Sequence, residues 1–202
     1  MTYRICILVL LLCLSAAIAS AQSLAADIHV GVAGWSEFES VSDLGIGGRL
    51  TWRPLPVVSL EADVTFYPEA FPDEPSRFGT FSAHRIEGLF GATLGPQLGR
   101  FRPFAKASVG FLDVRPSSDL FACVQIFPPP LTCLLAAGQT LPAYELGGGV
   151  EVATLPRQFI RLDVSERVLK YPGPSYNTAF EQKDDGFFGH ALRLTGGYGL
   201  RF

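Results

Sequence analysis

Charge is scarce in this chain. Charged residues fill 17% of its 202 positions, against about 25% in ordinary soluble domains, while hydrophobic residues reach 48% and the mean hydropathy is +0.27. That balance excludes disorder and makes lipid a candidate solvent. Long apolar runs are also missing. Beyond Ala21 no stretch approaches the roughly 18 uninterrupted apolar residues that a bilayer-spanning helix requires. Any span in the mature chain must therefore be built from strands. There is one methionine, set against 21 glycines and 16 phenylalanines, a composition that suits curved sheets better than helical bundles. With 16 Lys and Arg against 19 Asp and Glu, no basic footprint for nucleic acid exists.

What is present begins with an export signal. Arg4 precedes the apolar run Ile5 to Leu14, and Ala19-Ser20-Ala21 supplies the small residues a signal peptidase reads. Cleavage is expected after Ala21, with Ala26 as the second candidate site, which divides the chain into a signal peptide (1–21) and a single domain (22–202). Leu12, directly before Cys13, is too bulky for lipoprotein processing. Removing residues 1–21 takes away one charge, Arg4, and moves the formal charge from −3 to −4. Cys6 and Cys13 leave with the signal. In an exported chain the remaining Cys123 and Cys133 are expected to form a disulfide.

The C-terminus alternates strictly. Leu192, Leu194, Gly196, Tyr198, Leu200 and Phe202 share one face, with Arg193, Thr195, Gly197, Gly199 and Arg201 on the other. Similar alternation recurs at Asp27 to Glu37, Asp43 to Arg53, Val57 to Tyr67, Arg85 to Leu94, Phe101 to Val114, Pro142 to Thr154 and Gln158 to Val168. Eight strands result. The connections sort by length: short ones at 54–56, 95–101 and 155–157 alternate with longer ones at 68–82, 115–140 and 169–186. A Greek-key sandwich has no reason to sort them so, whereas a membrane meander puts short turns at the periplasmic end and long loops outside. The expected fold is all-β, an eight-stranded antiparallel up-and-down transmembrane β-barrel behind a cleavable signal peptide.

The polar faces of these strands carry eight basic and six acidic residues: Arg49, Arg53, Glu61, Asp63, Arg85, Glu87, Lys106, Glu145, Glu151, Arg161, Asp163, Arg167, Arg193 and Arg201. An eight-stranded barrel is just wide enough for side chains to fill it. The charges should therefore pair and plug the lumen, the alternative being a narrow ion path lined by the same groups. Inward glycines are expected to make room for the long arginines. No catalytic or cofactor constellation emerges. His29 and His84 read as rim residues without an acid partner, two cysteines without a His pair cannot fill a tetrahedral metal site, and Gly45-x-Gly47-Gly48 lies within a strand instead of opening a helix.

The segment Gly197-Tyr198-Gly199-Leu200-Arg201-Phe202 resembles the C-terminal signal of bacterial outer-membrane β-barrels, in which alternate aromatic or apolar residues end in Phe. With Arg102-Pro103-Phe104-Ala105-Lys106-Ala107-Ser108-Val109-Gly110-Phe111, it makes residues 27–202 resemble the small barrels of the OmpA/OmpX-like superfamily. The resemblance implies location in the bacterial cell outer membrane, with lipid and lipopolysaccharide as surroundings. It also implies recognition of Gly197, Tyr198, Leu200 and Phe202 by the barrel assembly machinery. A structural or surface-contact role follows, with outer loops meeting a ligand or protein, and a narrow channel as the alternative. The His-x-Ser arrangement of lipid A deacylase barrels is missing at His190-Ala191-Leu192, so no enzyme is expected. A soluble peptidoglycan-binding domain is absent from the pattern as well.

Overall fold

The computed structural model describes residues 23–34, 42–68, 84–115, 138–171, 175–176, 182–183 and 186–202. Eight long strands form one closed antiparallel barrel: β1 (Ser23–Gly34), β2 (Ser42–Arg53), β3 (Val58–Tyr67), β4 (Arg85–Leu94), β5 (Phe101–Val114), β6 (Gln139–Leu155), β7 (Gln158–Lys170) and β10 (Phe188–Arg201). A small ribbon, β8 (Ser175–Tyr176) with β9 (Gln182–Lys183), stands between β7 and β10 in the chain. Each barrel strand pairs with its chain neighbour, and β1 closes the ring on β10 from Ala25↔Arg201 to Ala33↔Arg193.

β1 begins at Ser23, four residues before the alternation becomes legible, because Ser23 to Ala26 pair with Arg53 to Leu50. The three turn-end connections are tight. Leu98 and Phe101 exchange backbone hydrogen bonds of 2.7 and 3.1 Å around Gly99, whose φ of +62° a side chain would disfavour. At the seam, the backbone N–H of Phe202 donates to Leu24 O (2.7 Å) and that of Arg201 to Arg157 O (2.8 Å). In β6 the pairing with β7 shifts between Ala153 and Leu155, a bulge next to the 156–157 turn.

The barrel is inside-out relative to a soluble protein. Ile28 and Leu146 on its outer face are each 69% exposed, whereas Arg102, Arg167 and Arg193 inside are 0% exposed. Period-two alternation produces this directly, since adjacent residues of a strand face opposite sides of the wall. Aromatics bound the outer apolar belt. Phe66, Phe111, Tyr144 and Phe188 lie toward the loop end, and Trp52, Phe101, Tyr198 and Phe202 toward the turn end. Phe101 and Phe111 are ten residues apart on β5, which at a tilt near 40° makes the belt about 25 Å tall.

The interior has two parts. Charged side chains fill it from the turn end through the middle. Toward the loop end, Leu89, Leu112, Val114, Leu141, Ala143, Leu169 and Tyr171 form an apolar cluster on the β4 to β7 side. Phe187 packs on it, its ring stacked on that of Tyr171 at 5.0 Å. The segment 1–21 and the Cys123–Cys133 pair lie outside the described residues.

Candidate functional site

The chemistry of this molecule is concentrated in its lumen. All fourteen charged residues expected on the inward face point there, and twelve are buried; Arg53 and Arg201, nearest the turn end, are partly exposed. The parity argument also applies to Asp27, His29, Asp43 and Arg102, which join them. Asp27 and His29 alternate with Ile28, Val30 and Val32, and Arg102 has the parity of Lys106. Those signals were available in the sequence.

Carboxylates act as hubs. Nearest the turn end, Glu151 receives Arg53 (3.4 Å), Arg102 (3.8 Å) and a close contact from Arg201. Arg102 also donates to Ser59 Oγ at 2.8 Å. One level up, Arg161 donates through Nη1 and Nη2 to the two oxygens of Glu61 (2.5 and 2.9 Å) and through Nε to Asp163 (3.0 Å). Its guanidinium lies 4.2 Å from the Phe104 ring centroid. Asp163 also faces Arg49 Nη1 at 2.9 Å.

Arg193 is the central knot. It reaches Asp63 (3.1 Å), Glu87 (3.2 Å) and Glu145 (3.3 Å) while donating to Thr65 Oγ1 at 2.7 Å. Glu145 additionally holds Lys106 (3.0 Å) and accepts from Ser165. Above this knot Arg167 contacts Glu87 and Arg85 contacts Asp43, with Tyr67 between the two guanidiniums at 5.8 and 5.6 Å.

Three of these pairs join opposite strands. Strand order round the ring places β2 across from β6, β3 across from β7 and β4 across from β10. Arg53–Glu151, Glu61–Arg161 and Glu87–Arg193 therefore span the full width of the lumen, each at a different height. They are cross-bolts rather than a lining. A buried arginine persists only where carboxylates and further acceptors compensate its desolvation, and each of these has at least one such partner.

His29 is not a rim residue. It is 3% exposed, with Nε2 3.0 Å from Thr65 Oγ1, Nδ1 3.7 Å from Asp27 and Nε2 3.6 Å from Asp63. Thr65 gives its one proton to Asp63 Oδ1 at 3.1 Å, so the shared proton with His29 must be carried on Nε2. The inward position of residue 29 follows from Ile28 and Val30 facing out, an inference that its place near the strand start obscured. His84, as expected, is exposed, with Nδ1 2.6 Å from the Pro68 carbonyl.

Inward glycines serve rings more than arginines. A Cβ on Gly45 would lie 2.7 Å from the Tyr67 ring, and one on Gly47 would lie 2.5 Å from His29 Nε2. Space is made for Tyr67 and His29, against which the polar network then packs.

Toward the loop end the outer face carries a polar pair that the strand parity also contained. Glu166 and His190 point outward on β7 and β10, with Nδ1 of His190 2.6 Å from Glu166 Oε1. Ser165 faces inward to Glu145, so Ser165 and His190 occupy opposite faces of the wall and form no nucleophile–base pair. Among the described residues no group of three or more His, Cys, Asp or Glu side chains could hold a metal ion.

Tyr198, Leu200 and Phe202, expected to form the assembly signal, project outward next to β1, and Gly197 faces in beside Asp27 and His29. The seam strand is thus the one that the C-terminal pattern occupies.

No family model matches the chain, and neither does any curated protein. Solved structures do. Neisserial surface protein A aligns at 14% identity and a TM-score of 0.51, covering 90% of this chain and 97% of that one. The N-terminal β-barrel domain of Pseudomonas aeruginosa OprF aligns at 12% identity and 0.50, covering 88% and 97%. Outer membrane protein AlkL, determined in lipid bilayers, aligns at 10% identity and 0.52, covering 90% of each chain. Identities this low speak for architecture alone, and on that ground the chain has the fold of the small bacterial outer-membrane β-barrels.

Proposed function

We propose that this chain is an integral protein of the bacterial outer membrane whose barrel is a closed platform, with a structural or surface-contact role and no catalytic activity. The observation that carries this reading is the set of three ion pairs across the lumen, Arg53–Glu151, Glu61–Arg161 and Glu87–Arg193, beneath an outer face that is apolar over about 25 Å. Side chains that meet across the diameter leave no continuous aqueous path through the charged levels. The apolar belt and its aromatic borders match the thickness of an outer membrane, and AlkL, one of the fold neighbours, is an outer membrane protein.

On this reading the short turns face the periplasm and the long loops face outward. Cleavage after Ala21 leaves β1 whole. Cleavage after Ala26 would remove Ser23 to Ala26 and their pairing with Arg53 to Leu50, opening the seam. Gly197, Tyr198, Leu200 and Phe202 would present the terminal strand to the assembly machinery, and the loops would meet lipopolysaccharide, a ligand or another cell.

Fractionation followed by gel electrophoresis with and without boiling tests the fold and its location together. The expected result is a heat-modifiable band in the outer-membrane fraction. Planar-bilayer recording of the same preparation tests closure. Silence at moderate voltage agrees with the bolted lumen, whereas steady unitary openings overturn it in favour of a narrow channel.

A further inference from the structure

Charge is not spread evenly along the lumen. From the level of Arg161 to the loop end, the buried charged side chains comprise six Arg or Lys and seven Asp or Glu, which nearly cancel. At the turn-end mouth the balance fails. Arg53, Arg102 and Arg201, one each from β2, β5 and β10, converge on the single carboxylate of Glu151 on β6. On the other four strands the inward residues at this end are Ala25, Ser59, Thr93 and Phe159, none of them acidic. Three arginines against one glutamate leave two positive charges at the mouth.

The guanidiniums there also carry more donors than acceptors. Arg102 is buried and donates Nη2 to Ser59 Oγ, yet its Nε and Nη1 find no hydrogen-bond acceptor among the described residues, the Glu151 oxygen at 3.8 Å being too distant. Nε of Arg201 lacks an acceptor as well. The rings of Phe104 and Phe159 lie 5.9 and 5.3 Å from the Arg102 and Arg201 guanidiniums, a contact that uses no N–H and leaves those edges for an acceptor. Water satisfies an N–H but does not offset charge, and excess charge inside a low-dielectric wall calls for a counter-ion. The mouth admits one. The Arg53 and Arg201 side chains are 12% and 21% exposed. Arg100 and Arg157 add exposed cations on the turns, and the segments 54–57, 95–100 and 154–158 contain no Asp or Glu, so an approaching anion meets a positive rim.

We infer that the turn-end mouth of the lumen binds a phosphate-type oxyanion, held by Arg53 and Arg201 over the buried Arg102. A dianion matches the two uncompensated charges. Its tetrahedral oxygens accept from several guanidinium N–H groups at once, in the bidentate geometry that favours arginine over a point cation. The inference goes beyond the platform reading, and its chemistry does not depend on the membrane. If the barrel stands in the outer membrane as proposed above, the site opens to the periplasm.

The test uses the full mature chain folded in detergent, titrated calorimetrically with inorganic phosphate at mildly alkaline pH, with chloride as competitor. Wild type should take up about one phosphate per chain and keep most of it against roughly tenfold more chloride. Arg53→Gln and Arg201→Gln should each weaken binding by about tenfold, the scale of one charge-assisted hydrogen bond. Arg201→Lys, which keeps the charge but loses the fork, should fall between Arg201→Gln and wild type. Glu151→Gln removes the competing charge while keeping an acceptor for the arginines, and should tighten binding severalfold; a network that merely braces the wall predicts no gain. Lys170→Ala, on the outer face at the loop end, should change nothing. Heat-modifiable migration confirms folding of every sample. No uptake by folded wild type overturns the site, as do full displacement by chloride, unchanged affinity in Arg53→Gln or Arg201→Gln, and weaker binding by Glu151→Gln. Any of these leaves the outer-membrane reading standing, whereas a chain missing from the outer-membrane fraction counts against that reading and not against the site.

Discussion

Arg161 offers the sharpest test of the bolted lumen. It is buried, bridges β7 to Glu61 on the opposite strand β3, and also holds Asp163. Arg161→Ala strips Glu61 of its ion-pair partner and leaves it, among the described residues, the Thr93 hydroxyl at 3.4 Å as its one hydrogen-bond donor, whereas Asp163 keeps Arg49 at 2.9 Å and Thr195 at 2.9 Å. One carboxylate is thereby abandoned inside a low-dielectric wall, at a cost of about 3–5 kcal/mol. Glu61→Gln is milder, because Arg161 retains Asp163 and the amide oxygen still accepts, so about 1–2 kcal/mol is expected. Replacing both, Arg161→Met with Glu61→Leu, removes the uncompensated charge and should recover most of the loss. The assay is urea unfolding in lipid vesicles, followed by tryptophan fluorescence and by the fraction of compact species on unboiled gels. With about 1–3 kcal/mol per molar urea, Arg161→Ala should lower the midpoint by at least roughly 1 M, and the double variant should lie between it and wild type. An Arg161→Ala midpoint within about 0.5 M of wild type would refute the reasoning. A double variant worse than Arg161→Ala would refute it too, since the two changes would then be independent.

Two further outcomes follow from the wall itself. Phe202 is 74% exposed and contributes its backbone N–H, not its ring, to the bond with Leu24. Phe202→Ala should therefore leave in-vitro stability within about 0.5 kcal/mol of wild type, yet lower the folded outer-membrane yield in cells severalfold, as measured by heat-modifiable bands; equal yields would remove the assembly role. Gly47→Ala would place a methyl 2.5 Å from both His29 Nε2 and the Val64 carbonyl, costing about 1–3 kcal/mol by overpacking. Gly196→Ala has Leu162 Cδ2 at 3.5 Å as its nearest neighbour and should unfold within about 0.5 kcal/mol of wild type in the same urea series. Matching midpoints for the two would contradict the packing described here.

Most of the barrel was legible because a strand that separates two media must alternate. Arg85 to Leu94 and Phe101 to Val114 coincide with β4 and β5. Alternation fades at ends: Ser23 to Ala26 contain three small residues and no charge, so nothing in the sequence marks them as strand until their partners on β2 are known. His29 was misplaced for a related reason. A histidine near a strand start carries no sign of depth, and its partners Thr65 and Asp63 are more than 30 positions away. Likewise, parity places Glu61 and Arg161 inside but cannot say that they meet. That requires knowing that β3 and β7 stand opposite each other, which only the closed ring determines.

The charged lumen also bears on why this wall has one register. A barrel in lipid with an apolar interior would present similar surfaces on both faces, and a one-residue slip of a strand, which exchanges its faces, would meet little resistance. Here a slip of β7 would turn Arg161, Asp163 and Arg167 to the outside and bring Leu162 and Val164 in among Glu61, Glu145 and Arg193. An arginine facing the bilayer midplane costs about 2–4 kcal/mol, and the carboxylates left behind would lose their cations as well. The penalty is several-fold larger than the net stability that a well-paired buried ion pair contributes, which is often near zero against an apolar replacement. The cross-bolts are thus better understood as fixing which residues face inward than as a source of stability. This is why the Met and Leu double variant should stay folded while the single Arg161 truncation should not escape its cost.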